Sequence, residues 1–188
     1  MQPAVSELVL DSEAIGRIVR RMASEIIERT RGINQLGLVG VRRGGVPVAE
    51  RLAAAIAEAT GRQVPVGTVD ITLYRDDAAT ALPDPKIGPS EVSFDIEGRD
   101  VVLVDDVLHT GRTVRAAIDC LHDYGRPHRI WLAVLCDRGG RELPIEANFV
   151  GRRVPVPQGF VLDVAMSPGH ERAMLLPRAN GRPGVQSE

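Results

Sequence analysis

The chain has 188 residues, 44% apolar and 26% charged, which is the balance of a single globular domain and excludes a wholly disordered chain. Twenty-three basic residues against 25 acidic ones leave a net charge of −2, so no overall field draws in nucleic acid or anionic lipid. Aromatic residues make up 3%, too few for a stacking platform that holds single strands, and no apolar run approaches the roughly 18 residues of a membrane span.

The N-terminus reads MQPAVS, with no basic segment leading into an apolar core, so no secretory leader is expected. Residues 11–31 carry Ile15, Ile18, Val19, Met22, Ile26 and Ile27 at three- and four-residue steps, which predicts an amphipathic helix capped by Asp11 or Ser12 and closed by Gly32. The run LGLVGV at 36–41 predicts a buried strand. A second helix opens at Gly44-Gly45 and ends near Gly61. Residues 64–74 are β-branched and extended, and 75–90, with three prolines and little periodicity, form a mobile loop. A short strand at 91–96 is expected to pair across that loop. VVLV at 101–104 predicts another strand, followed by a helix over 112–124 and a buried strand at 130–136. Short strands are expected at 149–150 and 160–164, and residues 177–188, rich in Pro, Gly and Arg, as a disordered tail behind a single domain over 1–176. Cys120 and Cys136 lie inside apolar patterns without zinc-ligand spacing, so both are expected as buried free thiols in a reducing cytoplasm. No metal site of His, Cys and carboxylate spacing is present in the sequence.

Strand and helix alternate, which predicts an α/β fold with a mainly parallel central sheet flanked by helices. Ligands in such folds bind at the carboxyl ends of the strands. That singles out Arg42-Arg43-Gly44-Gly45, Asp105-Asp106 and Asp137-Arg138-Gly139. In VVLVDDVLHTGRT, residues 101–113, an acid pair follows a buried strand, and such a pair is costly unless it meets a partner. Thr110-Gly111-Arg112-Thr113 then turns the chain into a helix whose N-terminal amides and two threonine hydroxyls suit a phosphate. The acids repel phosphate and so should face sugar hydroxyls. A ribose carrying a 5-phosphate satisfies both ends of the loop.

The same segment resembles the phosphoribosyl-pyrophosphate (PRPP) motif of type I phosphoribosyltransferases. DITLYRDD at 70–77, GRPHRIWLAVLCDRG at 125–139 and DRGGRELPI at 137–145 narrow the resemblance to the PyrR family of pyrimidine-operon attenuators and uracil phosphoribosyltransferases, over Leu8 to Val154. The resemblance implies the type I phosphoribosyltransferase fold, with a flexible hood loop at 75–90. It implies union of uracil with PRPP to give UMP and pyrophosphate, with Mg²⁺ accompanying PRPP. PRPP or UMP would lie along Val101, Val102, Leu103, Val104, Asp105, Asp106, Val107, Leu108, His109, Thr110, Gly111, Arg112 and Thr113. Asp105 and Asp106 would be the catalytic acids that hold the ribose hydroxyls. Val41, Arg42, Arg43 and Gly44 would form the pyrophosphate loop, Val134, Leu135, Cys136, Asp137 and Arg138 the uracil wall, and Tyr74, Arg75 and Asp76 the base of the hood.

The resemblance also implies a regulator that binds a pyrimidine-operon mRNA leader when UMP or UTP is present, through Arg20, Arg141 and Arg152, and that assembles as a homo-oligomer. No DNA and no membrane partner is expected. This chain departs from the family pattern at four places: Arg43-Gly44-Gly45 where Thr-Arg-Gly is usual, His109 for Tyr, Gly140 for His, and Glu146 for a basic residue. Two alternatives therefore stand beside the bifunctional reading: a phosphoribosyltransferase without RNA binding, and one that takes another nucleobase.

Overall fold

A computed structural model describes residues 5–30, 32–74 and 90–178 of the chain. Elements run in chain order as β1 (Glu7–Leu10), α1 (Ser12–Arg29), β2 (Leu36–Val41), α2 (Gly45–Thr60), β3 (Val66–Val69), β4 (Asp100–Leu108), α3 (Arg112–His122), β5 (Arg129–Asp137), β6 (Phe149–Arg153), β7 (Phe160–Ala165) and β8 (Arg172–Pro177).

Helix α1 begins where its sequence places a cap: Asp11 Oδ1 accepts from the Ala14 amide at 2.7 Å, which satisfies one of the orphan donors of the first turn. Its buried stripe is Ile15, Val19, Met22, Ala23 and Ile26. Strands β3-β2-β4-β5-β6 form a parallel sheet in that order, with helices on both faces. Every residue of β2 is buried, as expected for a strand covered on both sides. Along β4 the side chains alternate between the two core clusters. Val102 and Val104 pack with α1 and α2, while Val101 and Leu103 pack with Val114, Ala117 and Leu121 of α3. Because β2, β4 and β5 are adjacent and parallel, their carboxyl ends at Val41, Leu108 and Asp137 open on one edge.

A second sheet, β1-β8-β7, is antiparallel and joins the two ends of the described chain. It is pinned to the main body by Glu171, whose carboxylate accepts from Ser12 Oγ at 2.5 Å and from the Arg51 guanidinium. These bonds hold the Glu171 carboxyl below the usual range.

Several expectations are corrected. Residues 91–96 form no strand, only an isolated antiparallel bridge from Glu91 to Thr68. The extended stretch 64–74 narrows to β3, followed by a short 3-10 turn at Thr72–Tyr74. Strand β4 does not stop at Val104 but runs through both acids to Leu108. Strands β1 and β8 have no counterpart among the predicted elements, and β8 carries order through Pro177 into the span expected as tail. Residues 75–89 of the hood loop expected at 75–90, and residues 179–188, lie outside the described residues. No described helix is long and apolar enough to cross a membrane.

Candidate active site

Asp105 and Asp106 occupy the last third of β4, so the parallel ladder fixes their backbone. Asp105 is 5% exposed, and its Oδ1 accepts from the Asp106 amide at 3.0 Å. Asp106 is half-buried and its Oδ1 accepts from the Val107 amide at 2.8 Å. Among the described residues neither carboxylate has an ion-pair partner. Burial, and then the charge of Asp106, push the Asp105 carboxyl well above the ordinary range. Burial also raises Asp106, and Asp163 of β7 adds to this as a further like charge. Asp163 gave no signal in the sequence, because its proximity arises only when β7 folds back beside β4.

The turn after β2 packs directly on the acids. A methyl group at Gly44 would overlap the Asp106 carboxylate, and one at Gly45 would overlap the Val104 carbonyl. The two glycines are therefore required for close approach of this loop to β4. Arg42 and Arg43 are exposed beside it, across a cis peptide bond. The residues expected as pyrophosphate loop and as catalytic acids thus meet in space.

Beyond Leu108 the chain forms the turn 109–111. Gly111 adopts the left-handed conformation (φ 91°) at the start of α3 and offers no capping side chain, which leaves the first-turn amides of an 11-residue helix open. The Arg112 amide meets a side chain, the Thr110 hydroxyl at 3.3 Å. The opposite side of this turn is fully engaged. Leu108, His109 and Thr110 present three successive carbonyls, and residues 138–143 fill all of them. The Arg138 amide donates to Leu108 at 3.0 Å, Arg141 Nη1 to His109 at 2.9 Å, and the Glu142 and Leu143 amides to Thr110 at 3.0 and 3.1 Å. Arg112 and Glu142 add an exposed ion pair at 2.7 Å.

At the end of β5, Val134, Leu135 and Cys136 are core residues whose side chains point into the two clusters, so only their backbone can face a ligand. Burial pushes the Cys136 thiol up to about 12, and both cysteines are free and buried, as expected. Asp137 receives Arg141 Nη2 at 2.7 Å and the Gly139 amide at 2.9 Å, and with these bonds its carboxyl lies below the usual range although burial opposes them. Arg138 Nε is buried and has no hydrogen-bond partner among the described residues. Burial and then the charge of Arg138 lower the His109 imidazole below its ordinary value.

At the base of the expected hood, the Tyr74 hydroxyl donates to Asp123, which pushes its pKa up to about 12, and the Tyr74 carbonyl accepts from Arg115 at 3.1 Å. Arg75 and Asp76 lie outside the described residues. Arg20 and Arg152 are exposed. Arg21 donates to the Val150 and Gly151 carbonyls, which sets the arginine-bearing helix α1 beside the strand that carries Arg152 and Arg153. Arg141 differs from these two: each of its three nitrogens makes an internal bond, the third from Nε to the Ile145 carbonyl at 2.9 Å. Nothing in its sequence context reveals that commitment.

The phosphoribosyl transferase domain family matches residues 6–165. Among solved structures, a hypoxanthine phosphoribosyltransferase of Staphylococcus aureus superposes with a TM-score of 0.62 at 22% identity, covering 80% of this chain and 79% of that one. The Trypanosoma cruzi enzyme in complex with IMP gives 0.63 at 19% identity, over 86% and 83%. These two establish the fold. Curated relatives are much closer. The bifunctional protein PyrR of Pelotomaculum thermopropionicum is 53% identical over 173 residues, covering 91% of this chain and 96% of that protein. That of Deinococcus radiodurans is 51% identical over 158 residues (84% and 86%), and that of Thermus thermophilus 48% over 172 residues (90% and 95%). With its parallel sheet, its buried acid pair and its open helix N-terminus, the chain belongs to the phosphoribosyl transferase domain family and, within it, to the bifunctional PyrR proteins.

Proposed function

We propose that this single-domain protein transfers the phosphoribosyl group of PRPP to uracil, giving UMP and pyrophosphate, and that with UMP or UTP bound it attaches to a pyrimidine-operon mRNA leader and controls termination. The observation that carries the catalytic half is the junction of three loops. An acid pair, Asp105 buried and Asp106 half-buried, with no ion-pair partner among the described residues, stands between the 42–45 turn and an anion-ready helix N-terminus. Such carboxylates are satisfied by vicinal ribose hydroxyls, and the open amides by the 5-phosphate.

In the transfer, the bond from C1 to the pyrophosphate oxygen breaks, the uracil N1–C1 bond forms, and the N1 proton is lost. Positive charge develops at C1, and the buried acid pair stabilises it more strongly than solvent-exposed acids could. Arg42 and Arg43 receive the departing pyrophosphate. The backbone of residues 134–138 positions the pyrimidine edge, and the hood loop expected at 75–90, with Tyr74 at its base, would exclude water as a competing nucleophile. Among the described residues no cluster of three or more His, Cys, Asp or Glu could cage a metal alone. Asp105 and Asp106, two adjacent carboxylates, would hold Mg²⁺ carried in by PRPP, and the ion would supply charge neutralisation for the leaving pyrophosphate.

For the regulatory half, Arg20 and Arg152 are the exposed cations on adjoining elements, and A-form geometry offers them phosphates and 2-hydroxyls. Arg141 supports that surface from inside. We place the protein in the cytoplasm as a homo-oligomer.

The test is PRPP-dependent UMP formation with uracil, hypoxanthine and orotate as competing bases, on wild type and Asp106→Asn. Turnover with uracil alone, lost in a folded Asp106→Asn variant, is the expected result, and undiminished turnover in that variant refutes the assignment. Gel shift on a pyrimidine-operon leader with and without UMP tests the RNA half. Binding should require UMP and weaken with salt.

A further inference from the structure

Phosphate binding at a backbone turn requires that the amides face the ligand, which in turn requires that the carbonyls be held away from it. In this chain that holding is done by one strap, residues 138–143, which occupies the carbonyls of Leu108, His109 and Thr110. Beside the exposed Arg112–Glu142 pair, one half-buried side chain of the strap carries three bonds that pin it. Arg141 bonds the His109 carbonyl with Nη1, the Asp137 carboxylate with Nη2 and the Ile145 carbonyl with Nε, at 2.9, 2.7 and 2.9 Å. Its side chain is 23% exposed and that of Asp137 10%, so the pair is only weakly screened by solvent. A planar fork with donors in fixed directions can serve three acceptors on three segments, and a lysine cannot.

The geometry points to Arg141 as a positioning residue for nucleotide binding: it locks the strap onto the carbonyl side of the 108–110 turn and so keeps the amide side turned toward the 5-phosphate. This inference rests on the phosphoribosyl reading of the site. It assigns to Arg141 an indirect part in both activities, since the strap that it pins also forms the wall of an open recess lined by Arg141, Leu143, Pro144, Ile145 and Glu146. Nucleotide occupancy and the shape of that surface become two readings of one element.

The experiment compares binding of UMP and of uridine to the full-length protein, for wild type, Arg141→Met and Arg141→Lys. The two ligands differ only in the 5-phosphate, so their affinity ratio isolates the contribution of the turn. Both variants should lose about tenfold in UMP affinity, the scale of one strong charge-assisted bond, while uridine affinity changes less than twofold. Lysine should not rescue, because the charge is kept but the fork is lost. Unchanged UMP affinity overturns the proposal, and so does an equal loss for both ligands, which would mark a purely structural role. If the variants do not fold, amide hydrogen exchange on wild type decides. UMP should slow exchange at Glu142 and Leu143 together with Thr110 and Thr113, and uridine should not. Exchange at Glu142 and Leu143 that ignores saturating UMP overturns it. A wild-type protein that binds neither ligand refutes the phosphoribosyl reading itself, and the role of Arg141 falls with it.

Discussion

Replacing Asp105 with Asn should stabilise the ligand-free protein at neutral pH while abolishing turnover. Asp105 is 5% exposed, receives one backbone bond at 3.0 Å, has no cationic partner among the described residues, and is followed directly by a second carboxylate. Burying an ion costs several kcal/mol even after relaxation, and a raised pKa lets part of that be avoided by protonation. Asparagine keeps the shape and the acceptor oxygen but carries no charge, so the gain at neutral pH should be about 1–2 kcal/mol. For a chain of this length that corresponds to roughly 2–8 °C in Tm. The pH dependence has a definite sign. Because the folded carboxyl is raised, folding favours the protonated form. The stability of wild type is therefore fully present below the unfolded value of about 3.9 and is lost as pH rises through the folded value. The advantage of the variant should vanish in acid and grow toward neutrality. Thermal melts in EDTA without nucleotide, across that range, measure it. An equal or lower Tm at neutral pH, or a gain independent of pH, would show that the acid pair is not held against an electrostatic penalty.

Gly44→Ala places a methyl group into the Asp106 carboxylate, and a displacement of that order in a reacting site costs about a hundredfold in rate, readable as pyrophosphate release with uracil. A rate within threefold of wild type would mean that the 42–45 turn yields freely. Glu171→Gln should flatten the acid limb of the stability profile. The Glu171 carboxyl is lowered chiefly by its Ser12 bond, so its contribution is present above the unfolded value and lost as pH falls through the folded one. An unaltered acid limb in thermal melts of the variant would contradict this. The His109 imidazole should titrate below the ordinary 6.5 in a proton NMR series, and Arg138→Met should raise its midpoint. A wild-type midpoint at or above 6.5 would refute the placement of the ring.

The sequence made the main body legible because each of its elements carries its own signal. The stripe Ile15, Val19, Met22 and Ile26, with Asp11 ahead of it, marks α1 without help from the rest of the chain. The all-apolar β2 and the DD and TGRT steps after VVLV did the same for the region of the site. What escaped was set by partners far away in sequence. Strands β1 and β8 are short, and they pair with each other across more than 150 residues (Glu7 opposite Leu175), so neither carries a periodic pattern long enough to stand out. Residues 91–96 alternate in polarity like a strand, yet only Glu91 finds a backbone partner. The acids were expected just beyond the strand, but the ladder to β5 continues past them as far as Leu108 opposite Asp137. Arg141 was expected among the RNA-binding cations, and its internal bonds escaped because one of them reaches the His109 carbonyl 32 residues away and the other two form only once the 138–145 turn folds back on itself.

The small β1-β8-β7 sheet makes the first and last described strands hydrogen-bonded neighbours, with β7 bringing Asp163 to the acid pair. The polypeptide is in effect a loop closed by backbone pairing, buttoned by Ser12, Arg51 and Glu171. Deleting β1 would therefore do more than shorten the chain: it would bare the flank of β8 and loosen the small sheet through which β7 holds Asp163 beside the acid pair.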